Sequence, residues 1–257
     1  MTWFEAIILG LVQGLTEFLP VSSSGHLAIV KALFGIETAD LSFEIVVHAA
    51  TVLSVIVVFW KDIVKLLEGL FKFKWNEETR YILMLVISMI PVFIVGVFFK
   101  DKVEAIFGTG LTVVGCALLV TALLLTISQL YKPHHKKINA WRALAIGVAQ
   151  AVAVIPGLSR SGSTIATGLI CGVPRDEVTR FSFLMVLVPI LGEAFLDLVG
   201  GGFAASSVGG LQLLLGFLAA FGSGLFACKA MIQLVKKATL GWFAVYCLVV
   251  GLLCIIL

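Results

Sequence analysis

Long apolar runs alternate with short polar segments along most of this 257-residue chain. Six runs are long enough to cross about 30 Å of hydrocarbon at roughly 20 residues each. They cover residues 43–60, 81–99, 111–130, 181–200, 211–228 and 240–257. The pattern therefore predicts six transmembrane helices in an all-α polytopic membrane protein.

Four further apolar runs are too short to cross, and they come in two pairs. The first pair covers 4–35 with a polar break at 20–25, and the second covers 143–172 with a break at 156–161. A ten-residue helix rises about 15 Å, which is half the hydrocarbon thickness. Each pair is therefore predicted to form a re-entrant helix hairpin, whose broken backbone must be buried in protein or line a wet cavity.

The two hairpins match each other at a constant offset of 137 residues. Gly10–Gln13 aligns with Gly147–Gln150, and Ser22–Gly25 aligns with Ser159–Gly162. Three spans follow each hairpin, and because three is odd the second half is inverted relative to the first. Inverted repeats with broken helices place functional sites where the breaks meet. The predicted repeats cover about 1–131 and 140–257.

The distribution of positive charge predicts an orientation. If each hairpin returns to its own side, fourteen of the eighteen Lys and Arg residues fall on one side and three on the other, with Arg160 in a break. By the positive-inside rule the basic side is cytoplasmic, so both termini lie outside. Only 13% of residues are charged, against about a quarter in soluble domains. A net charge of +3 gives no reason to expect nucleic acid as a partner.

Both breaks precede a helix N-terminus that is rich in Ser and Gly. Unpaired N–H groups and the helix dipole favour an anion there, and serine hydroxyls add donors. Arg160 adds a permanent, forked charge that suits phosphate oxygens. An arginine at the membrane centre costs at least roughly 2.5 kcal/mol, so a function must justify it. The alternative for Arg160 is a structural ion pair with a buried carboxylate.

The first hairpin carries the chemistry-bearing side chains. Gln13 and Glu17 are four apart and share a helix face, so Glu17, helped by Gln13, is expected to hold Mg²⁺ against a bound diphosphate. Otherwise Glu17 caps a helix or pairs with Arg160. His26 lies three residues from Ser23 across the break and is expected to act as a base, which activates either Ser23 as a nucleophile or water directly. The alternative for His26 is a hydrogen-bonded packing role.

Other acidic and imidazole side chains lie inside the predicted spans. His48 and Glu44 are expected to line the cavity or its rim. Glu193 and Asp197 lie four apart, so they are expected to face the bundle interior in a structural or supporting role. The sequence leaves the individual roles of these residues open.

The motifs in both breaks resemble known signatures. The stretch Gln13–His26 and the stretch Pro156–Gly162 with Thr164 are similar to the two signatures of the undecaprenyl-diphosphate phosphatases, the bacitracin-resistance family. The similarity extends over essentially the whole chain. It implies a bacterial inner-membrane enzyme that removes one phosphate from undecaprenyl pyrophosphate, using Mg²⁺ or Ca²⁺. This activity recycles the lipid carrier of cell-wall synthesis, at a site open to the periplasm.

The resemblance also assigns roles to residues. It implies catalysis by Glu17, Ser23, His26 and Arg160; many members carry Glu where this chain has Gln13. The breaks and the resemblance together predict substrate binding by Gln13, Ser22, Ser24, Gly25, Gly157, Ser159, Ser161 and Thr164. The rival function is a transporter or flippase of a polyprenyl phosphate, while a structural scaffold gives no reason to bury an arginine. The sequence is compatible with a homodimer and does not decide the oligomeric state.

Overall fold

The computed structural model describes residues 1–36, 42–106, 110–131, 136–199, 208–237 and 240–256. All regular structure in these residues is α-helical. The first half contains α1 (Trp3–Glu17), α2 (Ser23–Phe34), α3 (Ser42–Val58), α4 (Trp60–Leu70), α5 (Glu77–Phe98), α6 (Lys100–Ile106) and α7 (Leu111–Leu130). The second half contains α8 (Ala140–Val152), α9 (Arg160–Ile170), α10 (Arg175–Met185), α11 (Leu187–Val199), α12 (Gly210–Lys237) and α13 (Gly241–Ile256).

Both expected helix hairpins form, as α1–α2 and as α8–α9. Thr2 begins α1 with a reciprocal capping box to Glu5, and Asn139 caps α8; such side chains satisfy N–H groups that the helix leaves free. The chain leaves α1 at Phe18 and α8 at Ala153. Each hairpin then re-enters a helix at a capping serine, so the polar breaks lie where the sequence predicts them.

The predicted spans differ from the observed helices in several details. Within the described residues, α5, α7, α12 and the joined pair α10–α11 are long and apolar enough to cross a membrane. The run 43–60 instead ends at Val58 and bends by 75° into α4, and this bent pair would be a fifth span. The last run, α13, has 16 residues. The described residues therefore contain four to five candidate spans by length and composition, and six remains a prediction.

Each half of the chain packs against the other. In the described residues α1 lies along α12, α8 lies along α5, and α7 lies along α13. Close approach at these crossings uses glycines. A Cβ added to Gly10 would lie 2.4 Å from the Gly216 carbonyl oxygen, and a Cβ added to Gly147 would lie 2.3 Å from the Ser88 carbonyl oxygen. Because helix association in lipid depends on close packing, small residues at these crossings hold the two halves together.

Aromatic side chains form the core next to Glu17, at the end of α1. Phe18, the residue after Glu17, is 3% exposed and packs edge-on against Phe183 of α10 at 5.4 Å between ring centroids. Phe59, at the α3–α4 bend, packs on the same ring at 6.1 Å. Edge-to-face pairs stabilise by about 0.5–1.5 kcal/mol beyond their buried area. This cluster fixes the end of α1 and therefore the backbone of Glu17.

The α1–α12 crossing gives a stability prediction. A Cβ on Gly14 would lie 2.0 Å from Ser223 Oγ and 2.5 Å from the Ala220 carbonyl oxygen, so Gly14→Ala is expected to push the helices apart. Overpacking of this kind costs about 1–3 kcal/mol. We expect a lower melting temperature in detergent. Gly222→Ala on α12 is the control, because no atom of the residues that the structure describes lies within 4 Å of its added Cβ; equal melting temperatures for both variants would contradict the packing.

Candidate active site

The two helix breaks touch at their tips. The Gly157 N–H donates to Ser24 Oγ at 3.4 Å, and the Ser161 hydroxyl donates to the Leu19 carbonyl oxygen at 3.0 Å. A Cβ on Gly25 would lie 3.2 Å from Gly157 Cα. Gly157 itself has φ +89°, a conformation that favours glycine. The structure thus brings the polar breaks of the two hairpins into direct contact.

Both breaks end in the same cap. Ser22 Oγ accepts a hydrogen bond from the Gly25 N–H at 3.2 Å, and Ser159 Oγ accepts one from the Gly162 N–H at 3.1 Å. The residues involved are equivalent at the offset of 137. The second serine of each tip lies near the capping hydroxyl, as the pairs Ser22–Ser24 at 3.3 Å and Ser159–Ser161 at 3.4 Å. Two similar helix N-termini therefore lie side by side, each with the donors that suit an anion.

Glu17 is the centre of the side-chain network. Arg160 Nη2 donates to its Oε1 at 2.9 Å, while the Ser23 hydroxyl and Gln13 Nε2 donate to its Oε2 at 2.5 Å and 2.8 Å. The Glu17 side chain is 8% exposed. Ser23 and Arg160 occupy equivalent positions at the repeat offset. The Glu17 carboxylate therefore accepts a hydrogen bond from the same position of each hairpin. A buried charge that is paired and hydrogen-bonded in this way is stable where an unpaired one would not be.

The imidazole of His48 in α3 also approaches the Glu17 carboxylate. Its Nε2 lies 3.5 Å from Glu17 Oε2, and its Nδ1 lies 2.8 Å from the Glu44 carbonyl oxygen. A carbonyl oxygen only accepts, so Nδ1 donates to Glu44, and Nε2 faces the Glu17 carboxylate. The sequence leaves the role of His48 open, and the structure places it in the site. The side chains of Glu193 and Asp197 lie outside the described residues.

His26 makes contacts that the sequence did not predict. Its Nδ1 lies 2.7 Å from the Ser22 carbonyl oxygen, and its Nε2 lies 2.6 Å from the Tyr246 hydroxyl of α13. Both ring nitrogens are therefore engaged away from Ser23, whose hydroxyl bonds to Glu17. Ser23 and His26 also share the first turn of α2 rather than lying on either side of the break. The only sequence signal for Tyr246 is a hydroxyl-bearing aromatic residue within an apolar run.

Thr164 and Gln13, two other residues predicted to bind substrate, differ in whether their side-chain oxygens are already hydrogen-bonded. The Thr164 hydroxyl lies 2.9 Å from the Arg160 carbonyl oxygen and 2.5 Å from Ser182 Oγ, so it supports the first turn of α9. Gln13 Oε1, by contrast, is buried and has no hydrogen-bond partner among the described residues. Within that same part of the chain, no three His, Cys, Asp or Glu side chains cluster as a metal site.

Comparison with known proteins gives one family over nearly the whole chain. The family model described as "Bacitracin resistance protein BacA" matches residues 6–253. A protein of Bacteroides thetaiotaomicron named undecaprenyl-diphosphatase is 59% identical over all of this chain and 99% of its own length. Proteins with the same name from Parabacteroides distasonis and Christiangramia forsetii are 60% identical (99% of this chain, 98% of theirs) and 51% identical (100% and 98%). With the two signature breaks in contact around Glu17, these matches show that the chain belongs to the BacA bacitracin-resistance family.

Proposed function

We propose that this protein is a membrane phosphatase that hydrolyses undecaprenyl diphosphate to undecaprenyl phosphate and phosphate. The relatives' shared name supports this substrate. The observation that carries the proposal is the Glu17 network, in which a guanidinium from one hairpin and a serine hydroxyl from the other reach the same carboxylate. A carboxylate base, a hydroxyl nucleophile and a cation at one point suit the cleavage of a phosphoanhydride.

The two capped N-termini are suited to hold the diphosphate. Each offers free N–H groups and a positive dipole end, and Arg160, at the start of α9, adds a full charge. The Arg160 side chain is 27% exposed, so it can exchange Glu17 for a phosphate oxygen. Donors aimed at the oxygens that gain charge lower the barrier to phosphoryl transfer.

The hydrogen bond from Ser23 suggests a route for the proton. In the proposed first step Ser23 Oγ attacks the terminal phosphorus, its proton passes to Glu17 Oε2, and the bond to the bridging oxygen breaks. Undecaprenyl phosphate leaves, and Ser23 carries the phosphoryl group. Water then attacks the phosphorus as the bond to Ser23 Oγ breaks; Glu17 returns its proton to Ser23 Oγ, and phosphate is released. We assign the proton lost by this water to His26, because Glu17 and not His26 bonds to the Ser23 hydroxyl.

The residues present fit a divalent cation. Mg²⁺ is usually held by one or two carboxylates and by substrate phosphates rather than by a protein cage. Glu17 and the unpartnered amide oxygen of Gln13 are the groups that would hold Mg²⁺ or Ca²⁺ here. When bound, the ion would neutralise negative charge on the diphosphate.

Ser23 provides a test of the covalent route. Ser23→Ala is expected to lower phosphate release by at least about 10³-fold, as removal of a nucleophile does elsewhere, and a quenched wild-type reaction should contain phosphoserine at position 23. Ser128→Ala is the control, because among the described residues the buried Ser128 hydroxyl bonds within its own helix, to the Leu125 carbonyl oxygen. Turnover of Ser23→Ala within tenfold of wild type would instead favour direct attack by water.

The crossed packing of the halves supports an inverted repeat. Gly10 and Gly147, equivalent at the offset of 137, each press on a backbone carbonyl of the other half. We infer six spans, with both termini periplasmic and the site open to the periplasm of a bacterial inner membrane. A homodimer is compatible with this arrangement, and no proposed catalytic contact depends on one.

Phosphate release by purified protein in detergent tests the function. A phosphatase releases phosphate from undecaprenyl diphosphate in micelles, where no second compartment exists. A transporter or flippase of polyprenyl phosphate would bind the lipid and release none. Wild-type protein without phosphate release, but with measurable lipid binding, would overturn the hydrolase and favour transport.

A further inference from the structure

We propose that Tyr246 is a positioning residue that holds His26 in one tautomer and one orientation. The proposal rests on the phosphatase activity proposed above. The contact joins residues 220 positions apart: the Tyr246 hydroxyl lies 2.6 Å from His26 Nε2. The two rings also stack, with 5.6 Å between centroids and 9° between planes. Tyr246 therefore restrains both the position of the imidazole and the direction of its outer nitrogen.

The partners of His26 determine where its proton lies. The Ser22 carbonyl oxygen, 2.7 Å from Nδ1, only accepts hydrogen bonds, so Nδ1 carries the proton of the neutral ring. Nε2 then has a free lone pair, and the Tyr246 hydroxyl is the donor. Ser22 has φ +68°, an uncommon conformation for a serine, and strain of this kind is concentrated at functional sites. The basic nitrogen of His26 thus points at Tyr246.

The helix that carries Tyr246 is fixed to the same hairpin. The next residue, Cys247, is fully buried and its thiol donates to the Pro20 carbonyl oxygen at 3.4 Å. Further along α13, a Cβ on Gly251 would lie 2.9 Å from the Gly115 carbonyl oxygen, so α13 is pressed against α7. Adjacent residues of α13 therefore contact both the first break and the first turn of α2.

This arrangement gives Tyr246 a specific part in turnover. In the proposed second step Nε2 accepts a proton from the attacking water, so Nε2 has to be unprotonated beforehand. The Tyr246 hydroxyl donates to the Nε2 lone pair; it keeps the ring in place and gives up this hydrogen bond when the water takes its position. Tyr246 therefore acts through His26 and not on the substrate.

Kinetics of paired variants test the proposal. Tyr246→Phe keeps the stacked ring and removes the hydroxyl, and is expected to lower kcat about 3- to 10-fold, the range of one hydrogen bond, with KM unchanged within twofold. In a His26→Ala background the same change should have no further effect, because coupled residues are non-additive. Tyr131→Phe is the control: Tyr131 follows α7 and has a similar exposure of 48%. Full activity of Tyr246→Phe, or equal losses in both backgrounds, would overturn the proposal.

A spectroscopic readout tests the same contact without turnover. In protein labelled with ¹⁵N-histidine, the ring that disappears in His26→Ala should show the Nδ1–H tautomer. Tyr246→Phe should shift its Nε2 resonance and leave His48 unchanged. An unchanged Nε2 resonance would overturn the positioning role even if His26→Ala is inactive. Wild-type protein that releases no phosphate would overturn the proposed phosphatase activity. If wild-type protein releases phosphate and only the Tyr246 results are negative, the phosphatase activity is retained and the positioning role of Tyr246 is rejected.

Discussion

Glu17→Gln is expected to lower phosphate release by about 10³-fold or more, the scale of losing a general base together with an electrostatic contact. Glutamine keeps the size of the side chain and can still accept one hydrogen bond. It removes the charge that pairs with Arg160 at 2.9 Å and the oxygen that would take the proton of Ser23. It also removes the carboxylate proposed to hold the divalent cation. The measurement is initial rate against undecaprenyl diphosphate in detergent.

A surface carboxylate provides the control for Glu17. Glu77→Gln changes the same charge at a side chain that is 92% exposed, in the first turn of α5. It should retain wild-type turnover, and both variants should elute as folded protein in size-exclusion chromatography. If folded Glu17→Gln keeps more than a tenth of wild-type activity, Glu17 is not the centre of the chemistry.

Arg160→Lys is expected to lower kcat/KM by about 10²- to 10³-fold although the charge is retained. Lysine presents a compact ammonium instead of a planar fork, so it cannot contact two phosphate oxygens in the same way. Arg160 Nη2 also holds Glu17 Oε1, and a lysine of different reach would leave that buried oxygen poorly paired. Steady-state kinetics on the lipid diphosphate check the loss.

Arg80→Lys is the matched control for Arg160→Lys. Arg80 is exposed in the first turn of α5, far along the chain from either break. Its replacement should leave kcat and KM at wild-type values. Wild-type kcat/KM in Arg160→Lys would show that only charge is needed at that position, and would remove the argument for a forked phosphate contact.

The hairpins were predictable because their signal is local. An apolar run that is too short to cross, followed by proline, serine and glycine, has few other solutions in a membrane. The repeat added independent support, since Gly10–Gln13 and Gly147–Gln150 share small and polar residues at fixed positions. The direct contact between Glu17 and Arg160 is the alternative that the sequence left open for both residues, and the structure shows this ion pair. Phosphate binding by Arg160 stays a prediction.

The bends were not predictable from hydropathy. The run 43–60 reads as one span, but the chain turns by 75° after Val58 into the shorter helix α4. Averaging apolar character over a window reports how much surface is hydrophobic and carries no information on direction. The break between α10 and α11 at Val186 escaped the prediction of 181–200 for the same reason.

Contacts between distant segments were also beyond the sequence. His26 is three residues from Ser23, and this spacing suggested that the two side chains act on each other. In the structure the Ser23 hydroxyl instead donates to Glu17, and His26 is hydrogen-bonded to Tyr246 on the last described helix. These partners depend on how α13 crosses the first hairpin, which no periodicity encodes. His48 reached the site in the same way, through the packing of α3 beside α1.

The most direct test is an experimental structure with a non-hydrolysable substrate analogue, a polyprenyl methylene-bisphosphonate. We expect both phosphonate groups to lie between the two breaks, with the Arg160 guanidinium and N–H groups from both α2 and α9 within hydrogen-bond distance. We also expect the terminal phosphorus to lie within reach of Ser23 Oγ. An analogue held by one hairpin alone, or bound away from Glu17 and Arg160, would contradict the account.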